Sequence, residues 1–179
     1  MADLHPPIFI IGYMASGKTT LGRALARALG RDFIDLDFYI EQRFRKRIPE
    51  IFAERGEEGF RDMEARMLRE VGEFSGVVVS CGGGTPCHRD KMEYMNARGT
   101  TVFLDATIAR ICYRLSVAKT RRPLLEGIPA DRLPAFIESH LAPRLPSYTR
   151  AHISIPSDAL ETRAQIDTAV SALLPLLPG

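Results

Sequence analysis

The 179-residue sequence has no long hydrophobic run. Its apolar stretches are short, such as Ile8 to Gly12 and Val77 to Val79. A membrane-spanning helix needs roughly 18 apolar residues, so we expect no membrane association. The segment Met1 to Pro7 has no basic region followed by an apolar core, so we also expect no secretory signal and a cytoplasmic location. Hydrophobic residues still make up 45% of the chain, which is enough for a packed core.

A large excess of charge is also missing, because 24 basic and 22 acidic residues leave a net charge of +2. This balance argues against a surface that binds nucleic acid or a membrane. Lysine is scarce among the basic residues: Lys18, Lys46, Lys91 and Lys119 are the four lysines, and the other 20 are arginines. Arginine binds carboxylates and phosphates through a planar, two-pronged guanidinium, although we expect most of these side chains on solvated faces.

Cysteine is scarce as well. Cys81, Cys87 and Cys112 are odd in number and show no C-x-x-C spacing, which argues against a disulfide framework or a zinc site. We expect reduced thiols, with Cys81 acting as a small buried hydrophobic residue.

Short apolar segments alternate with longer helical patterns along the whole chain. Strands are predicted at 8–11, 33–36, 76–80, 101–104 and 152–155. Helices are predicted at 19–29, 38–47, 50–55, 61–74, 89–98, 108–115, 131–148 and 160–174, with a break at 56–59. Five buried strands separated by helices predict one α/β domain over 1–179, with a parallel sheet covered on both faces. Such sheets bind ligands at the carboxyl ends of their strands.

The residues from Gly12 to Thr19, GYMASGKT, fit the phosphate-loop pattern G-x-x-x-x-G-K-[ST] between a predicted strand and a predicted helix. The backbone N–H groups of such a loop wrap a phosphate, and the helix N-terminus adds partial positive charge. We expect Lys18 to reach the β- and γ-phosphates and the Thr19 hydroxyl to bind Mg²⁺. The motif predicts nucleotide binding and leaves open a small-molecule kinase, a GTPase or a subunit without catalysis. The Asn-Lys-x-Asp guanine signature of a GTPase is absent from the sequence.

Asp35 and Asp37 close the second predicted strand, beside the phosphate loop. Strand alternation predicts that both carboxylates point the same way. A carboxylate there can hold a Mg²⁺-bound water or accept a hydroxyl proton during phosphoryl transfer. An equally weighted alternative is two solvated aspartates, with Asp37 capping the next helix.

Four further motifs follow in order along the chain: Gly56-Glu57-x-x-Phe60-Arg61, Gly82-Gly83-Gly84, Arg122-Pro123-Leu124 and Arg144-x-x-x-Tyr148. Together with the phosphate loop and the aspartate pair, this ordered series resembles the shikimate kinase family over about residues 8 to 155. Each motif alone is weak, whereas the ordered set is highly specific.

The resemblance implies a three-layer α/β fold of the P-loop kinase type, with a five-stranded parallel sheet in the order 2-3-1-4-5. It implies a substrate-binding helical segment at about 37–74 and a mobile lid at about 116–128. The implied reaction transfers the γ-phosphate of ATP, the co-substrate, to the 3-hydroxyl of shikimate, with Mg²⁺ as cofactor. We expect a monomer whose partners are shikimate and ATP, with no nucleic acid and no membrane.

The resemblance also implies the roles of individual residues. Asp37 would bind the acceptor hydroxyls and serve as the base, while Lys18 and Arg122 would be the other catalytic residues. The residues implied to bind ATP are Gly12, Ala15, Ser16, Gly17, Lys18, Thr19, Thr20 and Arg122. The metal ligands implied are Thr19 directly, and Asp35 and Ser80 through water.

The acceptor site implied by the resemblance consists of Asp37, Arg61, Gly83, Gly84 and Arg144. The two arginines would bind the carboxylate, and the two glycines would present backbone to the ring. Elementary chemistry agrees, because shikimate carries one carboxylate and three hydroxyls, which match two guanidinium groups and one carboxylate. The alternatives are a kinase of another small polyol acid such as gluconate, and a nucleotide-binding regulator without turnover.

Several positions depart from the family or carry no assignment. Ala15 stands where glycine is common, and we expect a backbone angle that alanine tolerates, since a positive φ would cost about 1 kcal/mol or more. Arg121 adjoins Arg122, and either could reach the phosphate. Arg114 lies one residue out of register and is not assigned to catalysis. We also assign no chemistry to His88, His140, His152, Tyr39, Tyr94 and Tyr113.

Overall fold

The computed structural model describes residues 5–118 and 123–178. Its five strands are β1 (Ile8–Ile11), β2 (Asp32–Asp35), β3 (Val77–Ser80), β4 (Thr100–Asp105) and β5 (Ile153–Pro156). All neighbouring strands pair in parallel, in the order β2-β3-β1-β4-β5. The predicted fold class and the predicted strand order are therefore confirmed.

Eight α-helices connect and cover these strands. They are α1 (Lys18–Leu29), α2 (Leu36–Phe44), α3 (Ile48–Gly72), α4 (Lys91–Arg98), α5 (Ile108–Val117), α6 (Leu133–Leu141), α7 (Leu145–Tyr148) and α8 (Arg163–Leu173). Short 3₁₀ turns occupy Thr85–Cys87, Pro123–Leu125 and Leu174–Leu176. In the parts of the chain that the structure describes, no helix combines the length and the apolar character that crossing a bilayer requires.

Two hydrophobic cores lie on opposite faces of the sheet. Side chains alternate along β1, so that Phe9 and Ile11 belong to one core while Ile8 and Ile10 belong to the other. The second core is closed by the apolar faces of α1 and α8, and the first mainly by α2 to α6. This double coverage explains why the strands read as continuous apolar runs.

The pairing register brings three strand ends to one edge of the sheet. Ser80, the last residue of β3, lies opposite Ile10 of β1 and opposite Asp35, the last residue of β2. The phosphate loop leaves β1 at the same edge and leads directly into α1. The residues predicted to bind ligands therefore start from neighbouring strand ends, as expected for a parallel sheet.

The predicted helices at 50–55 and 61–74 form a single helix, α3, with a kink. Gly56 has φ 65° and ψ −178°, which interrupts the helical backbone, but the helix resumes at once and includes Gly59. The predicted break over 56–59 is therefore confined to one residue. The predicted helix at 131–148 is instead two helices, α6 and α7, because Pro143 between them cannot donate a helical hydrogen bond.

Candidate active site

A cavity of about 470 Å³ opens at the carboxyl ends of β1, β2 and β3. It brings together the phosphate loop, the aspartate pair and the glycine run. The residues that line it are Met14, Ala15, Gly17, Lys18, Thr19, Thr20, Asp35, Asp37, Ser80, Cys81, Gly82, Gly83, Arg114, Ala118, Leu160 and Glu161. Three motifs that are far apart in the sequence thus form one surface.

The phosphate loop begins where the backbone must pass very close to its surroundings. Gly12 has φ 148°, and a Cβ atom there would lie 2.8 Å from the Leu104 carbonyl oxygen and 2.8 Å from Ser16 Oγ. Only glycine fits this position without strain. Ser16 itself is buried behind the loop and donates its backbone N–H to the Tyr13 carbonyl at 3.2 Å.

The expectation that Ala15 has a backbone angle that alanine tolerates is wrong, because its φ is 59° and lies in the left-handed region. The Cβ atom of alanine makes this conformation unfavourable by roughly 1 kcal/mol, so the loop holds a strained residue. Arg114 of α5 contacts this residue directly, donating from Nη1 to the Ala15 carbonyl at 3.1 Å. We infer that tertiary contacts impose the conformation of Ala15.

Arg114, which the sequence analysis did not assign to catalysis, also lines the cavity. Its Nη2 donates to the Ser157 carbonyl at 2.6 Å, and its Nε donates to the Glu161 carboxylate at 2.9 Å. These contacts, with the one to Ala15, join α5, the phosphate loop and the segment after β5. Nothing in the local sequence around Arg114 indicates these partners, which are 43 to 99 residues away.

Lys18 and Thr19 carry the polar groups at the entrance to α1. The Lys18 ammonium donates to the carbonyls of Gly12 at 3.0 Å and Tyr13 at 2.8 Å, so its charge lies over the loop. Thr19 Oγ1 donates to Asp35 Oδ2 at 3.2 Å. This arrangement holds a positive charge and a hydroxyl on the side of the cavity where phosphates would bind.

The oxygen atoms of Thr19, Asp35 and Ser80 form a small hard-donor group that suits Mg²⁺. Magnesium prefers oxygen ligands and usually takes one or two carboxylates together with phosphate oxygens and waters. Within residues 5–118 and 123–178, no group of three or more His, Cys, Asp or Glu side chains could hold a metal by itself. A site of this kind would therefore depend on the phosphates of a bound nucleotide.

Asp35 closes β2 as predicted, whereas Asp37 lies in the following helix, α2. Asp35 is the N-cap of α2 and accepts the Phe38 N–H at 3.2 Å, whereas Asp37 lies inside the first turn of that helix. The expectation that Asp37 caps the helix is therefore wrong, because the helix begins one residue before it. Both residues line the cavity, although Asp37 does so from the first turn of a helix and not by strand alternation.

Burial raises the pKa of Asp37 to about 6, and the nearby negative charges of Asp35 and Glu64 add to the effect. The positive charges of Lys18 and Arg61 partly offset the rise. A carboxylate with a pKa near 6 is mostly ionised at neutral pH, yet it is more basic than an ordinary aspartate. This combination suits a general base.

Arg61 belongs to a buried charge network centred on Glu64, which the sequence did not indicate. The Glu64 side chain is 1% exposed and accepts from Arg61 Nη1 at 3.1 Å, from Thr85 Oγ1 at 2.7 Å and from the Lys91 ammonium. Lys91 is 2% exposed, and burial lowers its pKa. The network fixes the guanidinium of Arg61 on one side while the turn at Gly84 contacts it on another.

Gly84 allows Arg61 to approach the glycine run. A Cβ atom on Gly84 would lie 2.6 Å from Arg61 Nη2, so any other residue would displace the guanidinium. The neighbouring Gly83 carbonyl accepts the Tyr148 hydroxyl at 2.6 Å. Tyr148 is fully buried and stacks on Phe103 with ring centroids 5.2 Å apart, so the turn rests on a rigid support.

Arg144 is the N-cap of α7 and contacts the rings of Tyr13 and His140. Its Cζ lies 5.9 Å from the ring centroid of Tyr13, and its Nη1 lies 3.2 Å from His140 Nδ1. The positive charges of Arg144 and Arg61 both act on Cys87, where they partly offset the rise in pKa that burial causes. The two arginines predicted to bind a carboxylate therefore lie around one short turn.

Two expectations remain, one for the buried Cys81 and one for the arginines of the predicted lid. Cys81 is 1% exposed, contacts Met95 Sδ at 3.7 Å and has a pKa raised by burial, which confirms the prediction of a small buried side chain. Arg121 and Arg122 lie outside the described residues, as does part of the predicted lid at 116–128.

Comparison with known proteins agrees with this geometry. The family model for shikimate kinase matches residues 14–174. A shikimate kinase of Bacteroides fragilis is 55% identical over 170 residues, covering 95% of each chain. The crystal structure of shikimate kinase from Bacteroides thetaiotaomicron has a TM-score of 0.92 and 51% identity, covering 96% of this chain and 97% of that one. Shikimate kinase from Acinetobacter baumannii in complex with shikimate has a TM-score of 0.82 and 32% identity, covering 96% and 92%. The chain belongs to the shikimate kinase family.

Proposed function

We propose that this site transfers the γ-phosphate of ATP to the 3-hydroxyl of shikimate, giving shikimate 3-phosphate and ADP. The observation that carries the proposal is that Arg61 and Arg144 both lie near Cys87, shortly after the glycine run, while Asp37 lies near both Lys18 and Arg61. The two guanidinium groups provide a site for one carboxylate, and the loop provides a site for phosphates. An acceptor with a carboxylate and a hydroxyl fits between the two.

The phosphate loop and the first turn of α1 form the ATP half of the proposed site. The residues assigned to it are Gly12, Ala15, Ser16, Gly17, Lys18, Thr19 and Thr20. Lys18 stabilises the charge that moves between the β- and γ-phosphates during transfer. Thr19, Asp35 and Ser80 would hold Mg²⁺, Thr19 directly and the other two through water, as the family resemblance implies. The bound ion would neutralise phosphate charge and help to align the γ-phosphate.

The acceptor half positions the hydroxyl for attack. Arg61 and Arg144 bind the carboxylate, and the backbone of Gly83 and Gly84 faces the ring. The 3-hydroxyl oxygen forms a bond to the γ-phosphorus as the bond to the β–γ bridging oxygen breaks. The hydroxyl proton passes to the Asp37 carboxylate, and ADP leaves with the bridging oxygen. The raised pKa of Asp37 supports its role as proton acceptor.

Arg122 is assigned to the transferring phosphate on sequence grounds, with Arg121 beside it as the alternative. We propose that the segment at 116–128 closes over ATP as a lid and that the helical segment at 37–74 binds the acceptor. Because both halves of the site come from one chain, we also propose that the enzyme acts as a monomer. The three free cysteines support a cytoplasmic location.

A coupled assay of ADP release tests the proposal. Shikimate, gluconate and nucleoside monophosphates are supplied separately with ATP and Mg²⁺, and the phosphorylated product is identified by mass spectrometry. Of the three kinds of acceptor, we expect only shikimate to give rapid ADP release. That release should be lost in the Asp37→Asn variant. Preferential turnover of gluconate would favour the other polyol-acid kinase, and absence of turnover with every acceptor would favour the nucleotide-binding regulator.

A further inference from the structure

Two side chains from distant parts of the chain, Tyr13 and Arg144, meet at one imidazole nitrogen of His140. His140 Nδ1 lies 2.7 Å from the Tyr13 hydroxyl and 3.2 Å from Arg144 Nη1. Tyr13 is in the phosphate loop, and Arg144 is proposed to bind the acceptor carboxylate. His140 therefore lies between the two halves of the site.

Packing fixes the imidazole ring in this position. Phe136 stacks against it with centroids 5.5 Å apart and an interplanar angle of 19°, one turn earlier on α6. The Tyr13 ring meets it edge-on at 5.6 Å and 76°. A ring held on its face and its edge has little freedom to turn Nδ1 away from its partners.

The chemistry of the partners defines the protonation state of His140. A guanidinium group can only donate hydrogen bonds, so Nδ1 must carry a lone pair when Arg144 binds it. The imidazole is then neutral, with its hydrogen on Nε2, and the Tyr13 hydroxyl donates to the same lone pair. Burial and the Arg144 charge both lower the pKa of His140, which favours this neutral form.

We infer that His140 is a positioning residue, whose neutral Nδ1 holds Arg144 and Tyr13 together and so fixes the carboxylate-binding guanidinium relative to the phosphate loop. The inference rests on the proposed function, because it assumes that Arg144 binds the acceptor carboxylate. Protonation of His140 would place a hydrogen on Nδ1, abolish both accepted hydrogen bonds and set a second positive charge beside Arg144. Acceptor binding should therefore weaken when His140 is protonated.

The charged and titratable groups around His140 limit what else could titrate there. Arg144 faces it from the start of α7, and Tyr13 faces it from the phosphate loop. Cys112 of α5 lies behind Tyr13 and helps to raise the pKa of that phenol. The phenol and the thiol stay protonated below pH 7, because burial raises the pKa of each, and the guanidinium stays charged. A response between pH 5.5 and 7.5 at this cluster therefore belongs to His140.

Substitutions separate the acceptor role of Nδ1 from the packing of the ring. His140→Phe keeps the stacking on Phe136 but removes the acceptor, whereas His140→Asn keeps an oxygen acceptor near the position of Nδ1 and cannot titrate. At pH 7.5 we expect His140→Phe to raise the KM for shikimate about tenfold, with kcat and the KM for ATP within about twofold. His140→Asn should restore the shikimate KM to within about threefold of wild type. An unchanged shikimate KM in His140→Phe, or equal losses for both substrates, overturns the inference.

Tyr13→Phe provides a second variant that does not depend on how His140 variants fold. It removes the hydroxyl donor and leaves the ring beneath Arg144, so we expect a rise of about threefold in the shikimate KM. His152→Asn is the matched control, since His152 precedes β5 at the opposite edge of the sheet and faces Thr101. A shikimate KM that rises as much in the His152 variant as in Tyr13→Phe would contradict the account.

The dependence on pH is measured in the Asp37→Asn background, so that the titration of Asp37 does not contribute. Calorimetry at pH 7.5 and 5.5 should show shikimate affinity falling severalfold in Asp37→Asn and staying constant in Asp37→Asn/His140→Asn. A fall of equal size in both proteins, or tighter binding at pH 5.5, overturns the inference alone. Absence of shikimate turnover by wild-type enzyme would overturn the proposed function and the inference together.

Discussion

The two halves of the site are built in different ways. The phosphate half is formed mainly by the backbone of eight consecutive residues, with Lys18 and Thr19 at its edge. The acceptor half is formed by charged side chains from α3, α4 and the start of α7, around a glycine turn. Its charged residues pair across up to 27 residues, and the Tyr13–His140 contact that joins it to the phosphate loop spans 127 residues. Phosphate binding is thus a local property of the sequence, whereas acceptor binding is a property of the folded chain.

The difference extends to stability. Glu64 and Lys91 are both almost completely buried, and taking each charge out of water costs several kcal/mol unless its partner compensates. Lys18 lies at the surface of an open cavity and donates to backbone carbonyls. Substitution of Glu64 or Lys91 should therefore disturb folding, while substitution of Lys18 should disturb transfer with little effect on folding.

The largest effect is expected in the phosphate half. Lys18→Ala should reduce kcat by about a thousandfold, because a positive charge is lost where negative charge moves between the β- and γ-oxygens. Thermal unfolding should show a change of less than about 1 kcal/mol in the free energy of unfolding. Steady-state kinetics and calorimetry check both values, and a kcat close to wild type would remove Lys18 from the mechanism.

Asp37→Asn should lower kcat by about a hundredfold or more and change shikimate affinity less than tenfold. The amide still hydrogen-bonds an acceptor hydroxyl but cannot take its proton at neutral pH. Kinetics and direct titration with shikimate separate the two effects. If the variant keeps more than about a tenth of wild-type kcat, Asp37 positions the substrate and is not the base.

Arg61→Ala and Arg144→Ala should each weaken shikimate binding by roughly ten- to a hundredfold, since a charge-assisted bidentate pair contributes about 1.5 to 3 kcal/mol. The affinity for a non-hydrolysable ATP analogue should change less than threefold. Titration of each variant with both ligands makes the comparison. Equal losses for the two ligands would indicate misfolding or a wrong assignment of the carboxylate site.

Lys91→Met should lower the free energy of unfolding by roughly 3 kcal/mol, because it leaves Glu64 buried with one cation fewer. The double variant Lys91→Met/Glu64→Gln removes the uncompensated charge and should recover part of the loss. Chemical denaturation measures both. If the single variant loses no more stability than Lys18→Ala does, the proposed contrast between the two halves is wrong.

Asp37 should also cost stability in the wild-type enzyme at neutral pH. Its folded-state pKa of about 6 exceeds the ordinary value of 3.8, so the folded protein favours the protonated form. The stabilisation from this group is complete below about pH 4 and is lost as the pH rises through about 6. Asp37→Asn should therefore raise the free energy of unfolding at pH 7.5 by about 3 kcal/mol. That gain should shrink as the pH falls from 6 to 4, and a gain independent of pH would refute this reasoning.

The same contrast decides what could be predicted from sequence. The phosphate loop and the five strands depend on local spacing and periodicity, and their order in the sheet is as expected. The left-handed conformation of Ala15 could not be predicted, because a contact from Arg114, 99 residues away, accompanies it. The helix cap at Asp35 was missed because strand and helix boundaries shift by a residue or two.

The acceptor half could be located but not explained from sequence. The motifs singled out Arg61 and Arg144, whose charges both act on Cys87 shortly after the glycine run. Their partners Glu64, Lys91 and His140 carry no local signal, since burial and pairing arise only when α3, α4 and α6 pack together. In particular, His140 is not spaced from the other histidines as metal ligands are, and the sequence around it predicts only a helix.

The most direct test of the central claim compares shikimate with its methyl ester, which keeps the hydroxyls and lacks the carboxylate charge. The kcat/KM of wild-type enzyme and of Arg144→Ala is measured with both acceptors, as a double-mutant cycle between protein and ligand. We expect the ester to be roughly ten- to a hundredfold poorer with wild-type enzyme, and Arg144→Ala to lower its kcat/KM no further. A loss on Arg144→Ala that is equal for the acid and the ester would contradict the claim that this half of the site recognises a carboxylate.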